Sequence, residues 1–397
     1  MSGFRRLACA AFYTSVAMLS VAGAHAAQSP YSQPTSGFVS VEGTQLLRDG
    51  RPWVPKGVIL NALNAPRAHI FARSMAAYQA NMATVANWGE AEINAIVAYG
   101  ADTIRFNASE AGLDPQNPNY DQNYLHTLLE AIHLVRLRGL TVEVAMQWER
   151  PGGDPTLRGM PAENTVRAWQ TILPYIGKDT GIILEAFNEP TMASNGNVTR
   201  KWLYGWGRRF QMLVTAMRAG GSQNLILLDG LAGGKLLSGP GWTVPAVNDP
   251  LNRLGYAIHA FPVSSQVRGR IDAVTPAEWD QNWGMFCNHA VCIVTAFYTG
   301  TRAHCFPEGN PSLPGSPEIA ANLLAYLKRK HIGIMGFSFD YTRYLITNYK
   351  THEPTHFSGF SDCDTSGKYY GVGWMLSHYF RTGQVVNERT GQVVEAP

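Results

Sequence analysis

Apolar runs of strand character recur along the chain, each stopping at a polar or glycine-rich break and most followed by a stretch with apolar residues at helical spacing. Val54–Leu60 is the first such run. Ala101–Phe106, Leu140–Met146, Gly181–Phe187 and Leu225–Leu228 continue the series, and Tyr256–Ala260, Val291–Thr295 and Gly333–Phe339 complete it. Between them, Glu90–Tyr99, Tyr124–Leu137, Ala162–Ile176, Lys201–Ala219 and Pro317–Lys330 repeat apolar positions every three to four residues. Gly100, Gly139 and Gly220-Gly221 stand where helices commonly stop. Eight strands alternating with helices predict an α/β fold, a single (β/α)8 TIM barrel, rather than a doubly wound sheet.

The ends of the chain are read separately. Phe38–Val41 and Gln45–Leu47 around Glu42-Gly43-Thr44 predict a short N-terminal β-hairpin closing one end of the barrel. A helical stretch around Trp374–Phe380 would seal it, and Thr-Gly-Gln-Val-Val at 382–386 and 390–394 reads as a hairpin or frayed tail. Arg5 and Arg6, the apolar stretch 7–23 and Ala24-His25-Ala26 form an export signal, cleaved after Ala26. The expected organisation is a signal peptide over 1–26, a flexible leader over 27–37, the barrel over 38–381 and a tail over 382–397. The expected location is the periplasm or the medium.

Bulk properties change this picture little. The 397 residues are 45% hydrophobic and 15% charged, enough for one large domain. Net charge is +3, and losing two arginines with the signal lowers it to +1, so neither nucleic acid nor an acidic membrane is an expected partner. Export also removes Cys9, leaving Cys287, Cys292, Cys305 and Cys363; an even set suggests disulfides, with Cys287–Cys292 and Cys305–Cys363 favoured among three pairings. His289, His304 and Asp364 have no metal-binding spacing, and no CxxC or HExxH occurs, so no metal and no cofactor is expected.

Catalytic groups of a barrel converge at the carboxyl ends of its strands. Those ends offer Asn61 and Asn64, Arg105 and Asn107, Gln147-Trp148-Glu149, Asn188-Glu189, Asp229, His259, Ala296 and Tyr298, then Phe339-Asp340. Amides, aromatic faces and a few carboxylates suit a neutral, hydroxyl-rich ligand, and no phosphate loop is present. Asn61, Gln147, Trp148, Tyr298, Trp283, Phe339 and Asp340 are the candidate ligand contacts. Trp202 and Trp206 share one helix face and read as core, and Glu185 reads as an inward residue salt-linked within the barrel.

Arg105 in Thr-Ile-Arg-Phe, Asn188-Glu189-Pro190 after the fourth strand and His259 at the sixth together resemble glycoside hydrolase family 5, the cellulase-like retaining hydrolases of clan A. The resemblance implies that Glu189 is the general acid/base, that Asn188 bonds the sugar 2-hydroxyl, and that Arg105 and His259 complete the polar network. It also puts a glutamate nucleophile where this chain has Ala296 in Ile-Val-Thr-Ala-Phe. Three explanations stand. Ala296 is a replaced glutamate, as made to trap a substrate complex; or the chain naturally binds glycan without cutting it; or Asp340, Glu149 or Glu308 serves instead. Phe261, Gln147-Trp148 and Phe337 with Phe339 also depart from the residues usual in the family. The implied activity is hydrolysis of a β-linked glucan by a monomer. Endo-β-1,4-glucanase comes first, with mannan and β-1,3- or β-1,6-glucan open, and this form is expected to be inactive.

Overall fold

A strand buried on both faces needs a continuous apolar run, because helices cover one side and the barrel interior the other. Thr103–Ser109 and Thr141–Gln147 are buried along their whole length, all seven residues of each, and the polar Arg105, Asn107 and Glu143 among them are paired inside the barrel. The computed structural model describes residues 34–61, 88–147, 159–193, 196–262, 273–299, 316–340, 344–357 and 371–395. Expectations that fall elsewhere lie outside the described residues: the export signal, the pair Cys305–Cys363, and Asn64, Trp148, Glu149, His304, Glu308 and Asp364.

The chain opens with β1 (Val39–Glu42), β2 (Gln45–Arg48) and β3 (Arg51–Pro52), an antiparallel ribbon. Eight parallel strands then close a barrel: β4 (Lys56–Leu60), β5 (Thr103–Ser109), β6 (Thr141–Gln147), β7 (Ile182–Glu185), β8 (Ile226–Asp229), β11 (Leu254–His259), β12 (Cys292–Phe297) and β13 (Gly333–Gly336). The two missing numbers, β9 (Ser238–Gly239) and β10 (Trp242–Thr243), form a hairpin outside it. The barrel expected from the apolar pattern is the one observed.

Among the described residues, five helices cover the strands: α1 (Glu90–Tyr99), α3 (Gln122–Leu137), α4 (Glu163–Ile176), α5 (Arg200–Ala219) and α8 (Ser316–Lys330). Short turns lie between them as α2 (Glu110–Leu113), α6 (Leu231–Gly234) and α7 (Pro276–Trp279). Gly100 ends α1 in the left-handed region, where only glycine is free of strain. Trp206 on α5 is fully buried and its indole N–H donates to the Asp229 carbonyl at 2.9 Å, tying helix to strand end. α9 (Gly373–Thr382) packs against α1 and α8, and β14 (Val386–Asn387) pairs with β15 (Gln392–Val393) as the C-terminal hairpin.

Val39 and Leu46 of the N-terminal ribbon join Ile59, Ile183, Leu227, Ile293 and Met335 in one buried cluster, which closes the amino-terminal end of the barrel. The opposite rim is left open, and the polar residues collect there. Cys287 and Cys292 form a disulfide at the entry to β12, as their spacing suggested.

Candidate active site

The parallel strands deliver one or two residues each to the open rim. Asn61 follows β4, Asn107 lies within β5, Gln147 ends β6, Asn188 and Glu189 follow β7, His259 ends β11, and Ala296 lies in β12. With Arg105, Phe261, Phe337 and Tyr344 they line a pocket of about 360 Å³, a size that suits a small ligand or a few sugar units. A larger depression of about 1020 Å³ lies outside the barrel against Trp242, Tyr256 and Phe286. Its one carboxylate, Asp280, is paired with Lys330 at 3.0 Å, so the chemistry belongs to the smaller pocket.

Below the pocket floor sits a buried charge network. Arg105, 1% exposed, donates to Glu143 at 3.0 Å, to both oxygens of Glu185 at 2.9 and 2.5 Å, and to the side-chain oxygens of Asn107 and Asn188. Asn188 in turn donates its amide to Gln147 Oε1 at 2.6 Å, so one guanidinium orients two asparagines that face the ligand. The Arg105 guanidinium loses solvation by burial, but Glu185 and Glu143 beside it more than restore its charge.

The carboxylates divide into two sets. Burial raises Glu185, yet the Arg105 charge, the Arg105 hydrogen bonds and the nearby His259 imidazole, 3.6 Å away, hold it well below the ordinary carboxylate range. Burial and the adjacent Glu185 push both Glu143 and Asp229 well above that range. His259 loses solvation too, but Glu185 at 3.6 Å, the hydrogen bond to Glu189 and the charge of Asp229 lift it to about 10. Two cations, Arg105 and His259, therefore face Glu185 and Glu189, whose carboxyls are held low, while Glu143 and Asp229 are the acids pushed toward their neutral forms. Glu185, Asp229 and His259 bring three ligand-type atoms within 4.8 Å of one another. A metal there would meet the Arg105 guanidinium held by the same Glu185, an arrangement better suited to protons.

Glu189 is the carboxylate that reaches the pocket, with its side chain 44% exposed. Its Oε1 lies 2.9 Å from His259 Nδ1, and its backbone N–H donates to Asp229 Oδ2 at 2.8 Å. Its φ of 53° is left-handed, a conformation a residue with a side chain adopts at a cost of about 1–2 kcal/mol. Burial tends to raise its pKa, and the hydrogen bond and charge of His259 hold it below its ordinary value. At rest the shared proton therefore sits on the imidazole.

The sequence of residues 72–342 matches Cellulase (glycosyl hydrolase family 5). The chain belongs to this family. Structural likeness agrees on the fold. The β-glucanase SdGluc5_26A of Saccharophagus degradans superposes with a TM-score of 0.58 at 18% identity, over 82% of this chain and 94% of that one. The endoglucanase Cel5A of Thermobifida fusca, solved with cellotetraose, gives 0.56 at 15% identity over 87% and 98%. An endo-β-1,4-glucanase of Xanthomonas axonopodis pv. citri gives 0.55 at 17% identity over 83% and 99%. No curated protein sequence matches the chain.

Against the expectations from sequence, the pocket gathers Asn61, Arg105, Gln147, Asn188, Glu189, His259 and Ala296. Asp340 lies beside it, accepting the Asn61 backbone N–H at 2.6 Å, and Tyr298 lies one layer behind, its ring 4.8 Å from that of Tyr344. Two assignments are corrected. Trp283 is 2% exposed and stands edge-on to Tyr326 of α8 at 5.5 Å, so it packs the outer layer and offers no sugar platform. Phe339 is fully buried between Tyr99 and His352, at 5.4 and 5.5 Å, outside the barrel mouth. The aromatic residues that line the pocket are Phe261, Phe337 and Tyr344, with Phe337 edge-on to both others at 5.9 and 5.2 Å. Tyr344 had no signal in the sequence beyond being an aromatic soon after the last barrel strand.

Proposed function

We propose that the pocket binds a β-linked glucan in the manner of a retaining endo-β-1,4-glucanase, with Glu189 as the acid/base and no nucleophile at Ala296. In this reading Asn188 bonds the 2-hydroxyl of the reacting sugar, a contact that strengthens as oxocarbenium character develops. Arg105 and the acids around it fix Asn188 and Asn107, and Phe261, Phe337 and Tyr344 supply apolar faces for the rings. The observation that carries the reading is Glu189: among the described residues it is the one carboxylate lining the pocket, and it is hydrogen-bonded to an imidazole. Family membership and relatives solved with cellotetraose support a cello-oligosaccharide as the ligand.

A retaining enzyme needs a second carboxyl about 5–5.5 Å from the acid. Ala296 lines the same pocket and pairs in register with His259, the place such a group would occupy. Without it the chain would form no glycosyl-enzyme bond. Ala296→Glu should raise turnover of soluble β-1,4-glucan at least a thousandfold, with mannan, β-1,3- and β-1,6-glucan as parallel substrates to settle linkage. A folded Ala296→Glu protein that binds cello-oligosaccharide but cuts no glycan would support the second reading, a non-catalytic glycan binder, which Ala296 itself favours. Export is part of the proposal: the mature chain should start after Ala26 and be recovered from the periplasm or medium, as N-terminal sequencing of fractions would read.

A further inference from the structure

One buried acid in the network contacts the candidate acid/base without reaching the ligand. Asp229 closes β8 with no exposure, and its Oδ2 does two things. It accepts the Glu189 backbone N–H at 2.8 Å and lies 3.6 Å from His259 Nε2. The other imidazole nitrogen, Nδ1, bonds the Glu189 carboxylate at 2.9 Å, so backbone and side chain of Glu189 are held by two ends of one ring of contacts. The ring is braced from outside. Trp206 fixes the Asp229 carbonyl, and Gly234, at φ +78°, packs so tightly on the imidazole that a Cβ there would stand 2.9 Å from His259 Cγ.

We propose that Asp229 is a positioning residue for Glu189: its hydrogen bond holds the left-handed backbone that aims the Glu189 carboxylate at His259 and at the pocket. The inference rests on Glu189 being the acid/base. The physical need is plain. A left-handed, non-glycine residue just before Pro190 reverts to an extended conformation unless something holds it, and that change carries the side chain away from the imidazole. Asp229 acts through an acceptor oxygen, its Oδ2 taking the Glu189 backbone N–H at 2.8 Å. The charged and titratable groups facing the imidazole and its partner are Arg105 from β5, Glu143 from β6, Glu185 from β7, Asp229 from β8, Glu189 itself, and Lys235, whose charge reaches Glu189.

Two variants separate hydrogen bond from charge: Asp229→Ala removes the acceptor, whereas Asp229→Asn keeps an acceptor oxygen in an uncharged side chain. In the otherwise unchanged chain, amide hydrogen exchange over residues 186–192 reads the backbone directly. Asp229→Ala should speed exchange at Glu189 at least tenfold with other segments unchanged, and Asp229→Asn should stay within threefold. In the Ala296→Glu background, Asp229→Ala should lower kcat thirtyfold or more while KM moves less than threefold. Its alkaline limb should rise by at least half a pH unit, because a Glu189 carboxyl carried away from the imidazolium loses the charge that holds it ionised. Asp229→Asn should recover most of the kcat and leave the limb in place. Unchanged exchange in Asp229→Ala would overturn the inference, and so would Asp229→Asn behaving like Asp229→Ala. An inactive Ala296→Glu protein whose exchange responds as expected would count against the hydrolase reading alone.

Discussion

Arg105→Met would remove the only guanidinium in the buried network and leave acids of similar bulk around an apolar chain. In the native protein Arg105 compensates Glu185, which is fully buried, and also contacts Glu143, likewise fully buried. Taking one partner from a buried ion pair costs about 3–5 kcal/mol, because the remaining charge stays desolvated. At about 2.1 cal/mol/K per residue, each kcal/mol moves the melting temperature of a chain of this length by about 1.2 °C, so a drop of about 4–6 °C is expected at pH 7.5. The sign of the pH dependence tests the reasoning further. With Arg105 present, Glu185 is held well below its ordinary value, so its stabilisation is in place above the unfolded pKa and is lost only as pH falls through the folded one. Without Arg105, burial would raise Glu185 like its neighbours, and a folded state that keeps a proton the unfolded chain releases loses stability as pH rises. The gap between native and variant should therefore widen from pH 5 to pH 7 by about 2 kcal/mol. Denaturant unfolding at several pH values measures it. A gap under about 1 kcal/mol, or one that does not change with pH, would refute the account of Arg105 as the counter-charge of this core.

Glu110, buried at the start of α2 and bonded to Asn164 and Thr165, offers the opposite case, since burial raises it to about 7. Its neutral form stabilises the fold below the unfolded carboxylate pKa, and that contribution fades as pH rises to about 7. Glu110→Gln should thus gain on the native protein by on the order of 2 kcal/mol between pH 4.5 and pH 8, read from paired unfolding curves. Replacing Cys287 and Cys292 by serine opens a loop of five-residue separation and should cost about 2 kcal/mol under oxidising conditions, with no difference once both proteins are reduced.

The barrel was legible because its strands are buried on both faces: apolar runs such as Ile182-Ile183-Leu184 and Cys292-Ile293-Val294 leave few alternatives, and strand boundaries moved by at most three residues. The rim was legible for the same reason, since a polar residue that interrupts such a run at its carboxyl end has to face the open mouth. Directions of side chains beyond the strand ends were not. Trp283 and Phe339 have the composition of sugar platforms but turn into the layer between strands and helices, and only the packing against Tyr326, Tyr99 and His352 reveals it. The bond from the Glu189 amide to Asp229 joins residues forty apart and leaves no local pattern.

The charge balance beneath the pocket bears on what restoring a nucleophile would do. In the present chain Glu189 faces an imidazolium with no carboxylate opposite, which holds it ionised, the wrong state for a group that must protonate a leaving oxygen. A glutamate at 296 would line the same pocket and add a third negative charge against two cations. That charge would raise the pKa of Glu189, as paired carboxylates do when one must stay protonated. Ala296→Glu should therefore do more than supply a bond-forming oxygen: it should bring Glu189 up toward neutral pH, where an acid works best. Carbon-13 titration of a glutamate-labelled protein, with Glu189→Gln to assign the signal, measures this without any turnover. The expected result is an upward shift of at least one unit for Glu189. A Glu189 signal unmoved in Ala296→Glu would mean that the two positions do not feel each other electrostatically, and the two-carboxylate reading of this pocket would then be wrong.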